Sequence, residues 1–213
     1  MTIEIHPATE QDAEELTPIA MAAFRNDVLN VKVEPILSES NPATSEQRAE
    51  YVKYRTERLR NRLTGTDKYW YKAVDVDTGK AVGLTGIYGP TAEQGAAADK
   101  PLPDPEANAV VEGVHAELTR CKKEFLGERQ DVWYVPTMAV HPDYSGKGIA
   151  TQLLAALLKH PEQAGQDVFL SATAPAAKLY RKAGFQPKET LHFLDGTYDL
   201  VFMVYSATKD THN

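Results

Sequence analysis

Two hydrophobic periods recur along the chain, one of strands and one of helices, and the segments they mark alternate. Residues 2–8 place Ile3 and Ile5 on one side of a short strand. Thr9 follows as a helix cap, with Asp12 at the position that reaches back to it. Leu16, Ile19, Ala20 and Ala23 then fall on one helical stripe. Between residues 34 and 45, Pro, Ser and Asn interrupt all periodicity. Thr44 or Ser45 caps a second helix that runs to about residue 63 and is expected to pair with the first. Residues 69–75 and 81–88 are strand-like runs divided by Asp77-Thr78-Gly79, which predicts an antiparallel hairpin.

The second half continues the alternation. A helix is expected over residues 107–126 and a strand over 132–140. The most strongly patterned helix spans 148–159, with Ile149, Leu153, Leu154, Leu157 and Leu158 on one stripe. A short buried strand at 168–170 leads to a helix that Pro175 opens and Gly184 closes. Residues 190–194 and 198–205 alternate around Asp195-Gly196, a hairpin signal. This order implies a mixed α/β sheet with helices on both faces. Residues 89–105 shift to Ala, Gly, Pro and Asp, too poor in apolar surface to offset the entropy of ordering, and are expected to form a mobile surface excursion. One domain over residues 1–213 is the simplest organisation.

Composition narrows the function classes. With 23 Lys and Arg against 30 Asp and Glu, the net charge of −7 argues against a surface that grips nucleic acid or anionic lipid throughout, so an anionic ligand needs a local site. The single cysteine, Cys121, cannot form an internal disulfide and suits a reducing compartment, with the cytoplasm expected. The N-terminus has no basic region followed by a long apolar run, and the run at residues 149–158 is far short of a membrane span, so no membrane is expected.

Candidate chemistry concentrates where the strand ending at Val140 runs through His141-Pro142-Asp143-Tyr144-Ser145-Gly146-Lys147-Gly148 into the patterned helix at Ile149-Ala150-Thr151. The first NH groups of such a helix lack internal partners and the dipole is positive there. Glycines let an anion approach the backbone, and Lys147 adds a full charge. The turn has neither the glycine-lysine spacing of a nucleoside triphosphate loop nor the three-glycine register of a dinucleotide loop.

Downstream stands Leu170-Ser171-Ala172-Thr173-Ala174-Pro175-Ala176-Ala177-Lys178-Leu179-Tyr180-Arg181-Lys182-Ala183-Gly184-Phe185. Together the two segments resemble the GNAT superfamily of acyl-CoA-dependent N-acyltransferases. Gly148-Ile149-Ala150 matches the second half of its phosphate-loop pattern, and Ala176, Leu179, Tyr180, Gly184 and Phe185 match its fourth helix. Ser145 and Thr173 depart from the residues the family prefers. The resemblance is sharp over about residues 132–185 and implies a GNAT-like mixed, mostly antiparallel sheet with acetyl-CoA as cosubstrate. It further implies that the CoA diphosphate sits on the backbone of Ser145, Gly146, Lys147, Gly148, Ile149, Ala150 and Thr151. The pantetheine arm would lie along Met138, Ala139 and Val140, in a cleft where the fourth and fifth strands splay apart, with Thr173 and Ala176 beside it. Pro136 removes a ladder NH and is expected either at such a break or in an edge strand.

Amide formation from a thioester needs a deprotonated amine and a protonated leaving thiol. In the family the tyrosine matched by Tyr180 often supplies the second proton. Some members carry a glutamate base on the fourth strand, where Tyr134 stands here; either a water chain, Tyr134, His141 or a residue from the N-terminal helices accepts the amine's proton, or the amine arrives already deprotonated. Cys121, beside Lys122 and Lys123, reads as structural. Arg55, Arg58 and Arg62 share one helix face, which reads either as a solvated face with Glu partners or as recognition of a carboxylate or phosphate on the acceptor. Tyr51, Tyr54 and Tyr69-Trp70-Tyr71 read as core or as an aromatic acceptor pocket. The expected protein is a monomeric or homodimeric N-acetyltransferase that acts on a small-molecule amine without a metal. A protein or peptide acetyltransferase and a non-catalytic acyl-CoA sensor are the alternatives.

Overall fold

A computed structural model describes residues 1–38, 41–92, 102 and 104–207. Strands β1 (Ile3–Pro7), β2 (Lys68–Asp75), β3 (Lys80–Tyr88), β4 (Trp133–Val140), β5 (Val168–Thr173), β6 (Gln186–Phe193) and β7 (Tyr198–Tyr205) form one sheet in the order β1-β2-β3-β4-β5-β7-β6. Every pairing is antiparallel except β4 with β5. The helices are α1 (Ala13–Phe24), α2 (Val28–Val33), α3 (Ser45–Leu63), α4 (Pro105–Leu126), α5 (Ile149–Ala164) and α6 (Ala174–Lys182). Helix α5 is the crossover that returns the chain parallel to β4, as a parallel pair requires.

Strand alternation sends successive side chains to opposite layers. On one face Ile149, Leu153, Leu154, Leu157 and Leu158 of α5, with Ala177 and Tyr180 of α6, pack on Val82, Ile87, Val135, Leu170, Val201 and Met203. On the other, Leu16 and Ile19 of α1 and Leu59 and Leu63 of α3 cover Trp70, Leu84 and Tyr88, while Val114, Leu118 and Cys121 of α4 cover Phe169, Phe202 and Val204. The expected caps form as side-chain hydrogen bonds: Thr9 N donates to Asp12 Oδ2 at 2.7 Å, and Thr44 Oγ1 accepts from Gln47 N at 3.2 Å.

The differences from the sequence reading have local causes. Helix α2 was not expected; Asp27 caps it by accepting from Asn30 N at 3.0 Å. Helix α5 runs past Lys159 and through the buried Pro161 to Ala164, because packing of its last turn outweighs the lost hydrogen bond. Strand β5 extends to Thr173 through pairing with β7, and β6 begins at Gln186 with Pro187 beside a bulge, tolerable because β6 is an edge. The core of the 89–105 excursion, residues 93–101 and 103, lies outside the described residues. Its two ends are anchored: Thr91 N donates to Asp67 Oδ2 at 2.9 Å, and Leu102 is buried with Val33 and Ala107.

Two irregularities position the site. Gly86 and Tyr88 of β3 face Thr137 and Tyr134 of β4, so Val135 and Pro136 together oppose Ile87 and form a bulge at the proline. Beside it, β4 and β5 pair only at Trp133↔Val168 and Tyr134↔Phe169. Trp70 lies flat on Gly86, where a Cβ would stand 2.6 Å from two of its ring atoms, and the Arg62 guanidinium lies 5.7 Å from the centroid of the Trp70 ring. Gly86→Ala should therefore displace Trp70 and destabilise the protein by about 1–3 kcal/mol, read as a lowered midpoint in denaturant titration. An unchanged midpoint would show that the Trp70 ring moves without cost.

Candidate active site

Two left-handed glycines, one on each side of Lys147, shape the turn between β4 and α5. Gly146 and Gly148 have φ of 74° and 78°, a region that costs a side-chain-bearing residue strain, and the space where their Cβ atoms would stand is open. Gly148 is the N-cap of α5 and offers no side-chain acceptor. Its carbonyl receives the first helical bond, from Gln152 N at 3.2 Å, so the NH groups of Ile149, Ala150 and Thr151 head the helix without an internal partner. Ser145, Gly146, Lys147 and Gly148 are exposed. This turn can hold a diphosphate on main-chain donors. Lys147 is directed back along the chain: Nζ donates to Asp143 O at 3.0 Å and lies 4.5 Å from the Tyr144 ring centroid.

The strand leading into that turn has one side open. Trp133 N donates to Asp167 O, toward β5, at 2.9 Å, whereas His141 N donates to Val82 O, toward β3, at 2.8 Å. The bulge at Val135 and Pro136 has switched the parity. Ala139 and Thr137 consequently pair with Leu84 and Gly86, and the NH and C=O groups of Met138 and Val140 point to the β5 side, beyond the last β4–β5 rung. An extended ligand chain could pair with Met138 and Val140. The Ala139 backbone is committed to β3 and its side chain is buried.

A cavity of about 330 Å³ passes through this gap. On the α6 side it is lined by Ser171, Ala172, Thr173, Ala176 and Tyr180, and on the opposite side by Tyr88 and Tyr134 together with residues of α1 to α4. Tyr180 is 7% exposed, and burial pushes its phenol up to about 12, which keeps it protonated at neutral pH. Tyr134 belongs to the last β4–β5 rung and so stands where the gap opens, its ring stacked on Phe169 at 4.9 Å and edge-on to Tyr88 at 6.2 Å.

The arginine stripe does not face solvent. Arg55, Arg58 and Arg62 all line the cavity, and Glu34 enters it from the turn after α2. Arg55 Nη1 hydrogen-bonds to Glu34 Oε2, and Arg58 Nη1 stands 3.6 Å from Oε1. Glu34 is 5% exposed. Asp27, His115 and Tyr198 also line the cavity; Tyr198 Oη donates to Asp27 Oδ2 at 3.0 Å, which ties β7 to the start of α2. Sequence reasoning missed Glu34, Asp27, His115 and Tyr198. The available signal was the arginine spacing, which asks for a buried acid without saying which one.

Other residues weighed from sequence fall elsewhere. Tyr69 and Tyr71 lie on the α5 layer, where Tyr69 stacks on His160 at 3.9 Å and Tyr71 Oη bonds to His160 Nε2 at 2.7 Å, so they line no acceptor pocket. His141 closes the turn after β4, its Nδ1 accepting from Asp143 N at 3.3 Å, and does not reach the cavity. Cys121 is buried, and burial pushes its thiol up to about 12, in keeping with a structural role. Among the described residues no cluster of three or more His, Cys, Asp or Glu side chains is arranged to hold a metal, and no helix is long and apolar enough to cross a membrane.

Residues 108–187 match the family model for the acetyltransferase (GNAT) domain. A 74-residue segment is 38% identical to the UPF0157 protein YqkA of Bacillus subtilis; the match covers 34% of this chain and 22% of that protein. The structure of histone acetyltransferase HPA2 and related acetyltransferase from Corynebacterium glutamicum superposes with a TM-score of 0.64 at 20% identity, over 99% of both chains. That of PaiA N-acetyltransferase from Thermoplasma acidophilum in complex with coenzyme A superposes at 0.56 and 16% identity, over 97% of this chain and 99% of that one. Such identities establish a shared fold.

The open backbone at Gly148 generates the first test of the turn. Gly148→Glu puts bulk and negative charge where a diphosphate would lie, so acetyl-CoA should no longer raise the melting temperature while the ligand-free protein still melts cooperatively. A wild-type shift in the variant would locate the anion site elsewhere. Lys147 is exposed and already engaged with its own turn, so Lys147→Ala should weaken acetyl-CoA by about tenfold at most in calorimetry. A loss of several hundredfold would mean that Lys147 contacts the ligand directly.

Proposed function

We propose that the chain is an acyltransferase of the GNAT fold and that it transfers the acetyl group of acetyl-CoA to the amine of a small molecule by direct attack within a ternary complex. The observation that carries this reading is the cavity through the β4–β5 gap. It joins the open backbone edge of β4, which runs on into the glycine turn, to a chamber roofed by α1 to α4. About 330 Å³ lies in the range of small-ligand pockets, and a chamber walled on this many sides suits a small amine better than a polypeptide groove.

In this reading the diphosphate of acetyl-CoA rests on the turn from Ser145 to Thr151, and the pantetheine arm pairs with Met138 and Val140. The thioester then reaches the gap between Thr173, Ala176 and Tyr180 on one side and Tyr134 on the other. The amine nitrogen attacks the thioester carbonyl from the α3 side, the C–N bond forms, the C–S bond breaks, and the amine loses one proton. The departing thiolate takes a proton from the Tyr180 phenol, which burial keeps available. Tyr134, at the mouth of the gap, stands beside the path of the incoming nitrogen.

A panel of amines and acyl-CoAs read by free-thiol release tests the reading. Acetyl-CoA with a small amine should release CoA; thiol release only with peptide amines, or binding without release, would replace it with one of the alternatives. Tyr180→Phe should lower kcat by about 100-fold or more while acetyl-CoA affinity stays nearly unchanged. A thioester with a more acidic thiol needs less protonation and should partly rescue the variant while barely changing the wild type. Full kcat in Tyr180→Phe where chemistry limits turnover would return Tyr180 to a packing role.

A further inference from the structure

Transfer to an amine requires a group that accepts the amine's proton, and β4 carries no carboxylate between Trp133 and Val140. The chamber holds one that arrives from elsewhere. Glu34 follows α2, after the buried Val33 and before the exposed Pro35, and its carboxylate is almost wholly removed from water. One oxygen, Oε2, accepts from Arg55 Nη1. The other, Oε1, accepts no hydrogen bond from the described residues; its nearest ion-pair partner, Arg58 Nη1, is 3.6 Å away. A desolvated carboxylate oxygen without a donor is costly, and a donor supplied from outside would satisfy it.

A second cavity, of about 570 Å³, adjoins the first, and Val33, Glu34 and Leu102 line both. Its described lining adds Glu50, Asp104, Tyr51 and Tyr54 and contains no Lys or Arg. An acidic and aromatic vestibule attracts ammonium groups, by charge and by cation–π contact. Glu34 thus stands where a cation-attracting vestibule meets the chamber at the β4–β5 gap. The Tyr51 phenol beside it is pushed up, first by burial and also by the negative charge of Glu34, with Arg55 opposing, so it stays protonated.

We propose that Glu34 is the catalytic carboxylate for the acceptor: Oε1 receives an N–H of the incoming amine and takes its proton as the nitrogen attacks the thioester. Arg55 and Arg58 fix the carboxylate so that the free oxygen keeps its direction. The protons balance: an ammonium entering through the vestibule first gives one proton to Glu34, which passes it to solvent, the neutral nitrogen attacks and gives a second to Glu34 as the C–N bond replaces the C–S bond, and Tyr180, having protonated the thiolate, is reprotonated from solvent. The proposal rests on the N-acyltransferase reading above.

The test uses the full chain with the best alkyl amine from the panel, measured by free-thiol release, with acetyl-CoA affinity measured separately. Glu34→Gln should lower kcat/KM by about 100-fold or more with acetyl-CoA affinity unchanged. Glu34→Asp keeps the charge beside both arginines, preserving the fold, and withdraws the oxygen by one methylene; it should lose activity in the same direction but less. With a hydrazide, whose nitrogen is already deprotonated at neutral pH, both defects should shrink. Wild-type rates in folded variants, or equal defects for the alkyl amine and the hydrazide, would overturn the proposal, as would loss of folding in both variants, which would assign Glu34 to structure alone. If the wild type releases no thiol with any amine, the N-acyltransferase reading fails first and the proposal falls with it.

Discussion

Everything at the centre of this molecule depends on β4 and β5 parting after a single pair of rungs. A parallel pair joined by a helical crossover ordinarily stays in register along its length, because each unpaired backbone group buried away from water costs free energy. Here pairing stops at Tyr134↔Phe169, while β5 continues to Thr173 on the strength of its ladder with β7. Pro136 contributes by removing one donor and forcing a bulge, and the bulge decides which residues of β4 present their main chain to the gap. Without that extra residue, Ala139 would face the gap and Met138 and Val140 would be paired with β3.

The gap also sets the relation between the two layers. A closed sheet would separate α5 and α6 from α1, α3 and α4, and Tyr180 and Tyr134 would belong to different cores. Because the strands part, both tyrosines border one cavity. The glycine turn lies at the end of the open edge of β4, so an extended ligand could follow one strand from the head of α5 to the chamber. The fold thereby places the exposed glycine turn and the buried Tyr180 phenol in line on a single scaffold.

Charge is distributed against the average of the chain. A protein of net charge −7 buries Arg55 and Arg58 against Glu34, with Arg62 over Trp70 close by, inside a cavity whose outer vestibule is acidic. A buried ion cluster of this kind is weak evidence for stability, since desolvation cancels much of its attraction. Its geometry is better matched to holding particular atoms in a fixed direction, and the free Oε1 of Glu34 is the atom so held.

Local physics made a large part of this legible from the chain. The helical stripe of α5, the capping residues Thr9 and Thr44, the hairpins at Asp77-Thr78-Gly79 and Asp195-Gly196, and the bare glycine backbone before α5 each depend on residues a few positions apart. Period, turn chemistry and a missing Cβ are properties that a short segment carries with it. The motif around Tyr180 was legible for the same reason. Helix α2 escaped because it is short and its residues pack on neighbours distant in sequence. The direction of the arginine stripe escaped because whether that face meets water or a carboxylate depends on where Glu34 comes to rest. Which of the Met138, Ala139 and Val140 backbone groups face the gap escaped because it follows from a bulge, which exists only when β3 lies alongside. Conformation was therefore determined by sequence wherever the deciding contacts were near in the chain, and by tertiary structure wherever they joined segments that only folding brings together.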